Sequence, residues 1–174
     1  IGNEVMHKHP NKKILYVSCE DFANEYISSI QNKKMEAFKH KYRNVDVFLI
    51  DDIQFLSHKE GTQEEFFHTF NHLYQNNCQI VMTSDRVPRA ITDLEERISS
   101  RLAGGMIADI TAPNLETRQA ILQGKCNKNN WQIPQEAIEY IASQITTNIR
   151  ELEGGLNRVI AFSDLHRKRP TLEL

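Results

Sequence analysis

Several features that would assign this chain to a specialised class of protein are missing from its sequence. Its 174 residues include only three cysteines, which are far apart and form no C-x-x-C motif. This pattern argues against a disulfide framework or a zinc site and favours reduced thiols in a cytoplasmic protein. The sequence has no apolar run near the roughly 18 residues of a membrane span and no recognisable signal peptide. Its formal net charge is only −2, so nucleic-acid binding would require a local basic patch.

The sequence also lacks the phosphate-binding loop motif G-x-x-x-x-G-K-[ST], which cradles nucleotide phosphates in many proteins. An interaction module without bound nucleotide is therefore one function to consider. Residues 1–9 have the pattern of a helix end without an N-cap, so we expect the chain to begin inside an element. Charged residues make up 25% and hydrophobic residues 40% of the chain, as in a soluble globular protein.

The central feature of the sequence is a hydrophobic strand that ends in two acidic residues. Residues 47–50 are apolar without alternation, which is typical of a strand buried on both faces in a parallel sheet. Asp51 and Asp52 follow directly, where ligands bind in open parallel sheets. This is also the Walker-B pattern, in which the first Asp holds Mg²⁺ on a nucleotide phosphate. The alternative is a solvated loop after a core strand.

A second strand repeats this pattern at residues 79–82 and ends in Thr83, Ser84 and Asp85. Because parallel strands end at the same edge of a sheet, we expect both polar ends to contribute to one site. Further strands are predicted at residues 13–18 and 106–110, and helices connect the strands. Up to about residue 112 this alternation predicts a parallel sheet with helices on both faces.

Basic and aromatic residues alternate in the second of two helices predicted between residues 21 and 43. The aromatic residues are Phe38 and Tyr42, and the basic residues are Lys33, Lys34, Lys39, His40, Lys41 and Arg43. Cations for phosphates and rings for bases are what a single-stranded nucleic-acid path requires. Composition alone favours the alternative, an ordinary solvated helix face whose aromatic side chains point inward.

Two arginines four residues apart, Arg97 and Arg101, share one face of a short predicted helix. Like charges at this spacing destabilise a helix by roughly 0.2–0.5 kcal/mol, so an external anion is a reasonable partner. Thr92 with Glu95 is expected to cap this helix, and Thr62 with Glu65 to form a capping box for the preceding one.

Pro113 marks a boundary after which the pattern is entirely helical. Asn114 is expected to cap one helix, and Asn148 with Glu151 the last one. Arg150 lies in the first turn of that last helix, where the helix dipole disfavours a cation. It is either compensated by a neighbour such as Glu153 or placed to meet a phosphate.

Three stretches resemble the DnaA family, the bacterial chromosomal replication initiators. They are Ile-Asp-Asp-Ile-Gln-Phe at 50–55, Gln-Glu-Glu-Phe-Phe-His-Thr-Phe-Asn at 63–71 and Asn-Ile-Arg-Glu-Leu-Glu-Gly at 148–154. The resemblance covers essentially the whole chain and implies an α/β AAA+ fold. Residues 1–112 would form a partial nucleotide-binding core with a two-helix insertion at about 20–43, and residues 113–174 a helical lid. In the family, the phosphate-binding loop lies immediately before this stretch and its strand pairs between those ending at Asp85 and Ile110. The resemblance therefore implies that residues 1–174 alone do not form a stable native sheet or an active ATPase.

The resemblance also implies a role for each acidic residue at the strand ends. Asp51 matches the acid that coordinates Mg²⁺, and Asp52 the acid that positions the attacking water. Asp85 matches the sensor-one residue of the neighbouring strand. ATP or ADP with Mg²⁺ would be the cofactors.

Three arginines match family positions that respond to nucleotide. Arg101 matches the arginine finger that reaches the ATP of the next subunit in a filament, and Arg97 lies beside it. Arg150 matches the sensor-two arginine of the lid. Residues 102–105, Leu-Ala-Gly-Gly, depart from the Phe and Trp-Gly that the family usually has there, which weakens the expected packing behind Arg101.

The resemblance implies that Ile27, Lys33, Lys34 and Lys59 face single-stranded origin DNA. The parent protein would assemble on the origin in its ATP form and melt duplex DNA as a slow ATPase switch. A replicative helicase and regulators would bind through domains outside this chain, and acidic membrane lipids are a further candidate partner. A helicase loader or related AAA+ regulator is the alternative, although loaders typically lack the two-helix insertion.

Overall fold

The computed structural model describes residues 1–171, and the chain divides after Ile107 into two units. The strands of the first unit are β1 (Ile14–Ser18), β2 (Val47–Asp51) and β3 (Gln79–Met82). Its α-helices are α1 (Gly2–Lys8), α2 (Cys19–Gln31), α3 (Met35–Arg43), α4 (Glu60–Gln75) and α5 (Glu96–Ala103). Short 3₁₀ turns span Ile53–Leu56 and Pro88–Ala90. The helices of the second unit are α6 (Leu115–Asn129), α7 (Gln135–Gln144) and α8 (Ile149–His166).

The three strands form one parallel sheet in the order β1-β2-β3. Successive side chains of a strand point to opposite faces, and one face carries Val17, Phe48 and Ile50 into the main core. Helices α2 to α5 contribute most of the rest of that core, and Ile53, Leu56 and Ile91 add to it from the segments of the 3₁₀ turns. Helix α1 approaches the other face, where a Cβ added to Gly2 would lie 2.9 Å from Cδ1 of Leu49. The predicted parallel sheet with helices on both faces is confirmed.

The strand predicted at residues 106–110 is wrong. In the described part of the chain these residues form no strand, and Met106 and Ile110 are 96% and 93% exposed. An apolar segment becomes a strand only where a neighbour supplies partners for its N–H and C=O groups. Within residues 1–171, β3 pairs with β2 alone.

The capping box predicted at Thr62 and Glu65 is also wrong. Helix α4 begins at Glu60, and Lys59, three residues before Thr62, occupies its N-cap position. Thr62 and Glu65 therefore lie inside the helix and are only 5% and 7% exposed. The Glu65 carboxylate accepts a 2.7 Å hydrogen bond from the Arg43 guanidinium instead. A tertiary ion pair thus uses the carboxylate that the local pattern assigned to the helix start.

Three helices of the second unit pack around side chains that are fully buried, chiefly Leu122, Ile138, Leu152 and Leu156. Each N-cap predicted from an asparagine is present. The Asn114 side chain accepts from the Thr117 amide, and the Asn148 side chain accepts from the Glu151 amide, both at 2.8 Å. The unit contains no strand among its described residues. It is all helical, as predicted.

No helix within residues 1–171 is both long and apolar enough to span a membrane.

Two neighbouring glycines of α8 allow a matched test of packing in this unit. A Cβ added to Gly155 would clash with Ile145, whereas one added to Gly154 would meet nothing within 4 Å. Alanine stabilises a helix interior by roughly 0.5–1 kcal/mol over glycine, while an extra methyl in a packed site costs about 1–3 kcal/mol. We expect Gly154→Ala to raise the free energy of unfolding. The free energy of unfolding of Gly155→Ala should be about 1–3 kcal/mol lower than that of Gly154→Ala. Denaturant unfolding measures both, and equal stabilisation by the two would contradict this packing.

Candidate functional site

Hydrogen bonds join the carboxyl ends of β2 and β3. The Thr83 amide donates to the Ile50 carbonyl at 3.1 Å, which extends the strand pairing by one residue. The Thr83 hydroxyl donates to Oδ1 of Asp51 and accepts from the Asp52 amide at 3.0 Å. The two predicted strand ends therefore meet, and Thr83 connects both acidic residues. The sequence had shown Thr83 only as part of a polar strand end.

Asp52 adopts a left-handed backbone conformation, with φ 59° and ψ 52°. Few residues other than glycine do so, although aspartate and asparagine are enriched there. The Asp52 carboxylate accepts a 2.9 Å hydrogen bond from the Gln54 side chain. The oxygen of the same Gln54 amide accepts a longer bond, 3.4 Å, from the Asp85 amide. Gln54, which the sequence did not single out, thus connects Asp52 with Asp85.

Asp85 is paired with the residue that follows it. Its two carboxylate oxygens accept from the Arg86 guanidinium at 2.8 and 2.7 Å. These bonds and the positive charge of Arg86 lower the pKa of Asp85 below its ordinary value. Both side chains are about half exposed, so the pair contributes little to stability. It does keep Asp85 ionised at the sheet edge.

Tyr16 of β1 is a further residue of the site that sequence patterns did not reveal. Tyr16 lies beside Leu49 in the parallel register, and Asp51 is two residues further along on the same face. The phenol donates to Oδ2 of Asp51 at 3.0 Å. This bond and the Asp51 charge raise the pKa of Tyr16, so the phenol remains a hydrogen-bond donor well above neutral pH.

The oxygen atoms at this edge suit a hard cation. Asp51 and Asp52 supply carboxylates, and Thr83 supplies a hydroxyl. Mg²⁺ is usually bound by one or two carboxylates together with phosphate oxygens and water. Residues 1–171 contain no cluster of three or more histidine, cysteine or acidic side chains that could hold a metal by themselves. The residues present therefore fit Mg²⁺ that is bound jointly with a nucleotide.

Helix α5 presents its two arginines to solvent because Ile98 and Leu102, on its other side, are buried. The helix begins at Glu96, so the cap predicted from Thr92 and Glu95 is wrong, and Glu95 at the N-cap makes no capping side-chain bond.

The two arginines of α5 differ in their surroundings. Arg97 does not await an external anion, since it pairs with Glu95 and lies 4.6 Å from the centre of the Phe67 ring. Arg101 is exposed, and no acidic side chain within residues 1–171 forms an ion pair with it. Of the two arginines, Arg101 therefore matches the expectation of a cation that binds an external anion.

Arg150 lies in the first turn of α8, as predicted. Of the two alternatives, compensation by Glu153 is not observed, because Glu153 pairs with Lys125 at 2.7 Å. Arg150 lines an open groove of about 690 Å³, which residues 110–113 and 147–151 form within the second unit. A cation in this groove, near a helix N-terminus, is available to an anion.

The candidate DNA residues are distributed along α2 and do not form one cluster. Ile27 is 47% exposed on α2, and Lys33 and Lys34 are exposed in the turn that follows. Lys59 lies near the start of α2, where its charge opposes the burial that raises the pKa of the Cys19 thiol to about 12. Helix α2 has 13 residues, so the two ends are about 18 Å apart.

The aromatic residues of α3 take no part in this surface. Phe38 is 5% and Tyr42 0% exposed, and both rings pack against Phe22 with centroids 5.3 and 4.9 Å away. Base stacking on these rings is excluded in this structure. The aromatic side chains point inward, as the alternative drawn from composition predicted.

Comparison with known proteins identifies the family. The bacterial DnaA ATPase domain matches residues 1–109. The chain belongs to this family. Domain III of the Thermotoga maritima replication initiation protein DnaA is 34% identical, with a TM-score of 0.95 over 99% of this chain and 72% of that chain.

Two further solved structures contain ligands. An AMPPCP-bound DnaA from Aquifex aeolicus is 37% identical, with a TM-score of 0.80 over 91% of this chain and 49% of that chain. A replication initiator DnaA bound to AMPPCP and single-stranded DNA is 36% identical, with a TM-score of 0.82 over 95% of this chain and 51% of that chain. This chain spans about half the length of these two relatives.

Proposed function

We propose that this chain is the ATP-responsive module of a chromosomal replication initiator, which assembles on origin DNA in its ATP form and melts the duplex. The observation that carries this proposal is the meeting of the two strand ends, where Thr83 connects Asp51 with Asp52. Support comes from the family match and from the relative that is bound to both AMPPCP and single-stranded DNA. The protein would act in the cytoplasm, on the nucleoid.

The acidic residues divide the chemistry of ATP hydrolysis between them. Asp51, oriented by Tyr16 and Thr83, would hold Mg²⁺, which when bound would neutralise phosphate charge. Asp52 orients a water molecule and takes up its proton, and Gln54 fixes the direction of that carboxylate. Asp85 lies on the neighbouring strand end and completes the polar edge.

The three arginines have different roles toward the nucleotide, and only Arg101 and Arg150 contact its phosphates. Arg101 extends from α5 toward the nucleotide of the next subunit, so assembly depends on ATP. Arg97 is held by Glu95 and Phe67 and orients the face from which Arg101 extends. Arg150 meets the γ-phosphate within its own subunit and distinguishes ATP from ADP.

Lys33, Lys34 and Lys59 contact the phosphates of single-stranded DNA, and Ile27 supplies apolar contact between them. Their spread along α2 suits an extended strand more than a compact ligand. A replicative helicase, regulators and acidic lipids are proposed as partners of the parent protein through parts outside this chain.

The proposal is tested by Asp52→Asn in a protein that carries this chain together with the phosphate-binding loop of the family. Loss of a group that takes up a proton typically slows a reaction by about 10²–10⁴-fold, so ATP hydrolysis should fall by about that factor. Filter binding with labelled ATP should show affinity within about twofold of the parent, because Asp51 is retained.

Asp46→Asn is the matched control. Asp46 lies at the opposite end of β2, where it pairs with Lys12, and its substitution should not change hydrolysis. Equal hydrolysis by the Asp52 variant and the parent would contradict the proposed role. Absence of ATP binding in the parent would favour an interaction module without nucleotide.

A further inference from the structure

Gln63 is a buried polar residue of α4 whose two donor hydrogens and acceptor oxygen all have hydrogen-bond partners. It is 1% exposed. Its Nε2 donates to the carbonyls of Leu56 at 2.9 Å and Asp93 at 2.8 Å, and its Oε1 accepts from the Glu95 amide at 2.9 Å. A side-chain amide has two donor hydrogens and one acceptor oxygen, so each part of the group has a partner.

These partners belong to two segments that the chain separates widely. Leu56 ends the 3₁₀ turn that follows Asp52 directly. Asp93 and Glu95 precede α5, and Glu95 is the N-cap residue of that helix. Gln63 therefore connects the acidic strand end with the start of the helix that carries Arg101.

The connection is stiff at both ends. On one side Thr83 fixes the Asp52 amide at the strand end. On the other, Ile98 and Leu102 anchor α5 in the core. A buried side chain held by three hydrogen bonds has little freedom, and its loss leaves donors and acceptors unpaired.

We propose that Gln63 is a positioning residue that sets the direction of Arg101 according to the position of the acidic strand end. The proposal rests on the role in the next subunit that is proposed for Arg101. A displacement at Asp52 moves the turn that follows it, and Gln63 transfers this displacement to Glu95 and α5. Nucleotide at one edge of the sheet is thereby connected to the arginine that faces the neighbouring subunit.

The test compares Gln63→Leu with Gln75→Leu in the complete initiator. Gln75 ends the same helix and is exposed, so it controls for the substitution itself. Hydrogen–deuterium exchange reports on the Glu95 amide, which should exchange about tenfold faster after loss of its buried partner. ATP-dependent assembly on single-stranded DNA should fall by about tenfold, while ATP affinity of the monomer stays within about twofold.

A double variant separates positioning from a general loss of stability. Gln63→Leu combined with Arg101→Ala should assemble no worse than Arg101→Ala alone, because residues that act as one unit are not additive. Gln63→Met, which keeps the length of the side chain but none of its hydrogen-bonding groups, should show the same faster exchange and weaker assembly. It serves where the leucine variant does not fold.

Several results would overturn the proposal. They are unchanged exchange at the Glu95 amide, an equal loss of ATP affinity in the monomer, and additive effects in the double variant. Normal assembly by Arg101→Ala would instead refute the role proposed for that arginine. If Arg101→Ala fails to assemble while Gln63→Leu assembles normally, the positioning role of Gln63 is refuted and the role of Arg101 stands.

Discussion

Arg101→Ala, in a protein that carries the complete nucleotide site, is expected to reduce ATP-dependent assembly on DNA by about a hundredfold or more. An arginine that stabilises phosphate charge from a neighbouring subunit contributes about 10³–10⁵-fold to turnover in other nucleotide hydrolases. Arg101 is exposed on α5, with no ion-pair partner within residues 1–171. Assembly would be followed by light scattering or by crosslinking at increasing ATP concentration.

The monomer should retain its ATP affinity within about twofold, because the arginine acts on another subunit. Arg89→Ala is the matched control, since Arg89 is also an exposed arginine and lies in the 3₁₀ turn before α5. Loss of ATP binding in the Arg101 monomer would show that the arginine acts within its own subunit. Normal assembly would show that it has no role between subunits.

Glu65→Ala is expected to lower the free energy of unfolding by about 3–5 kcal/mol, because it leaves a buried charge without its partner. The Glu65 side chain is 9% and the Arg43 side chain 23% exposed, and the pair is 2.7 Å apart. The pair joins α3 to α4. Its removal should also raise hydrogen exchange in α3, which would be measured together with denaturant unfolding.

Two control variants separate burial from charge. Lys41 lies on α3, as Arg43 does, and Lys41→Ala removes its 2.6 Å pair with Glu25 of α2, but those side chains are 46% and 43% exposed. A surface pair contributes about 0–1 kcal/mol, so this variant should be nearly neutral.

Arg43→Met with Glu65→Leu should recover most of the lost stability, since well-packed apolar residues often replace a buried pair without cost. Equal destabilisation by Glu65→Ala and Lys41→Ala would contradict the importance of burial.

The elements of the fold were largely predictable because each leaves a periodic pattern in its own stretch of sequence. Strands β1, β2 and β3 and the helices that bury one face follow from local spacing of apolar residues. Two kinds of prediction were wrong for a common reason. The strand at 106–110 depends on a neighbouring strand, and the capping box at Glu65 was displaced by a pair with Arg43. Both outcomes depend on distant parts of the chain.

The acidic residues of the candidate site could be predicted from the sequence, but their hydrogen-bond partners could not. Asp51 and Asp85 were found because parallel strands end at one edge, which needs no knowledge of register. In the observed register Tyr16 pairs with Leu49, and this register brings Asp51, two residues further along β2, within reach of the phenol. Gln54 and Thr83 act through side-chain bonds whose geometry follows from the left-handed turn at Asp52. Sequence periodicity contains no such information.

The parallel order of the sheet has a consequence for the synthesis of the protein on the ribosome. The Asp51 carboxylate accepts a hydrogen bond from the Thr83 hydroxyl at the end of the next strand. The two positions are 83 − 51 = 32 residues apart in the chain. At about 5–20 residues per second, the acidic residues are made roughly 2–6 seconds before the hydroxyl that orients them. During that interval β1 and β2 have been synthesised, but β3 has not been completed. The site therefore comes into existence only after the last of its three strands has been translated.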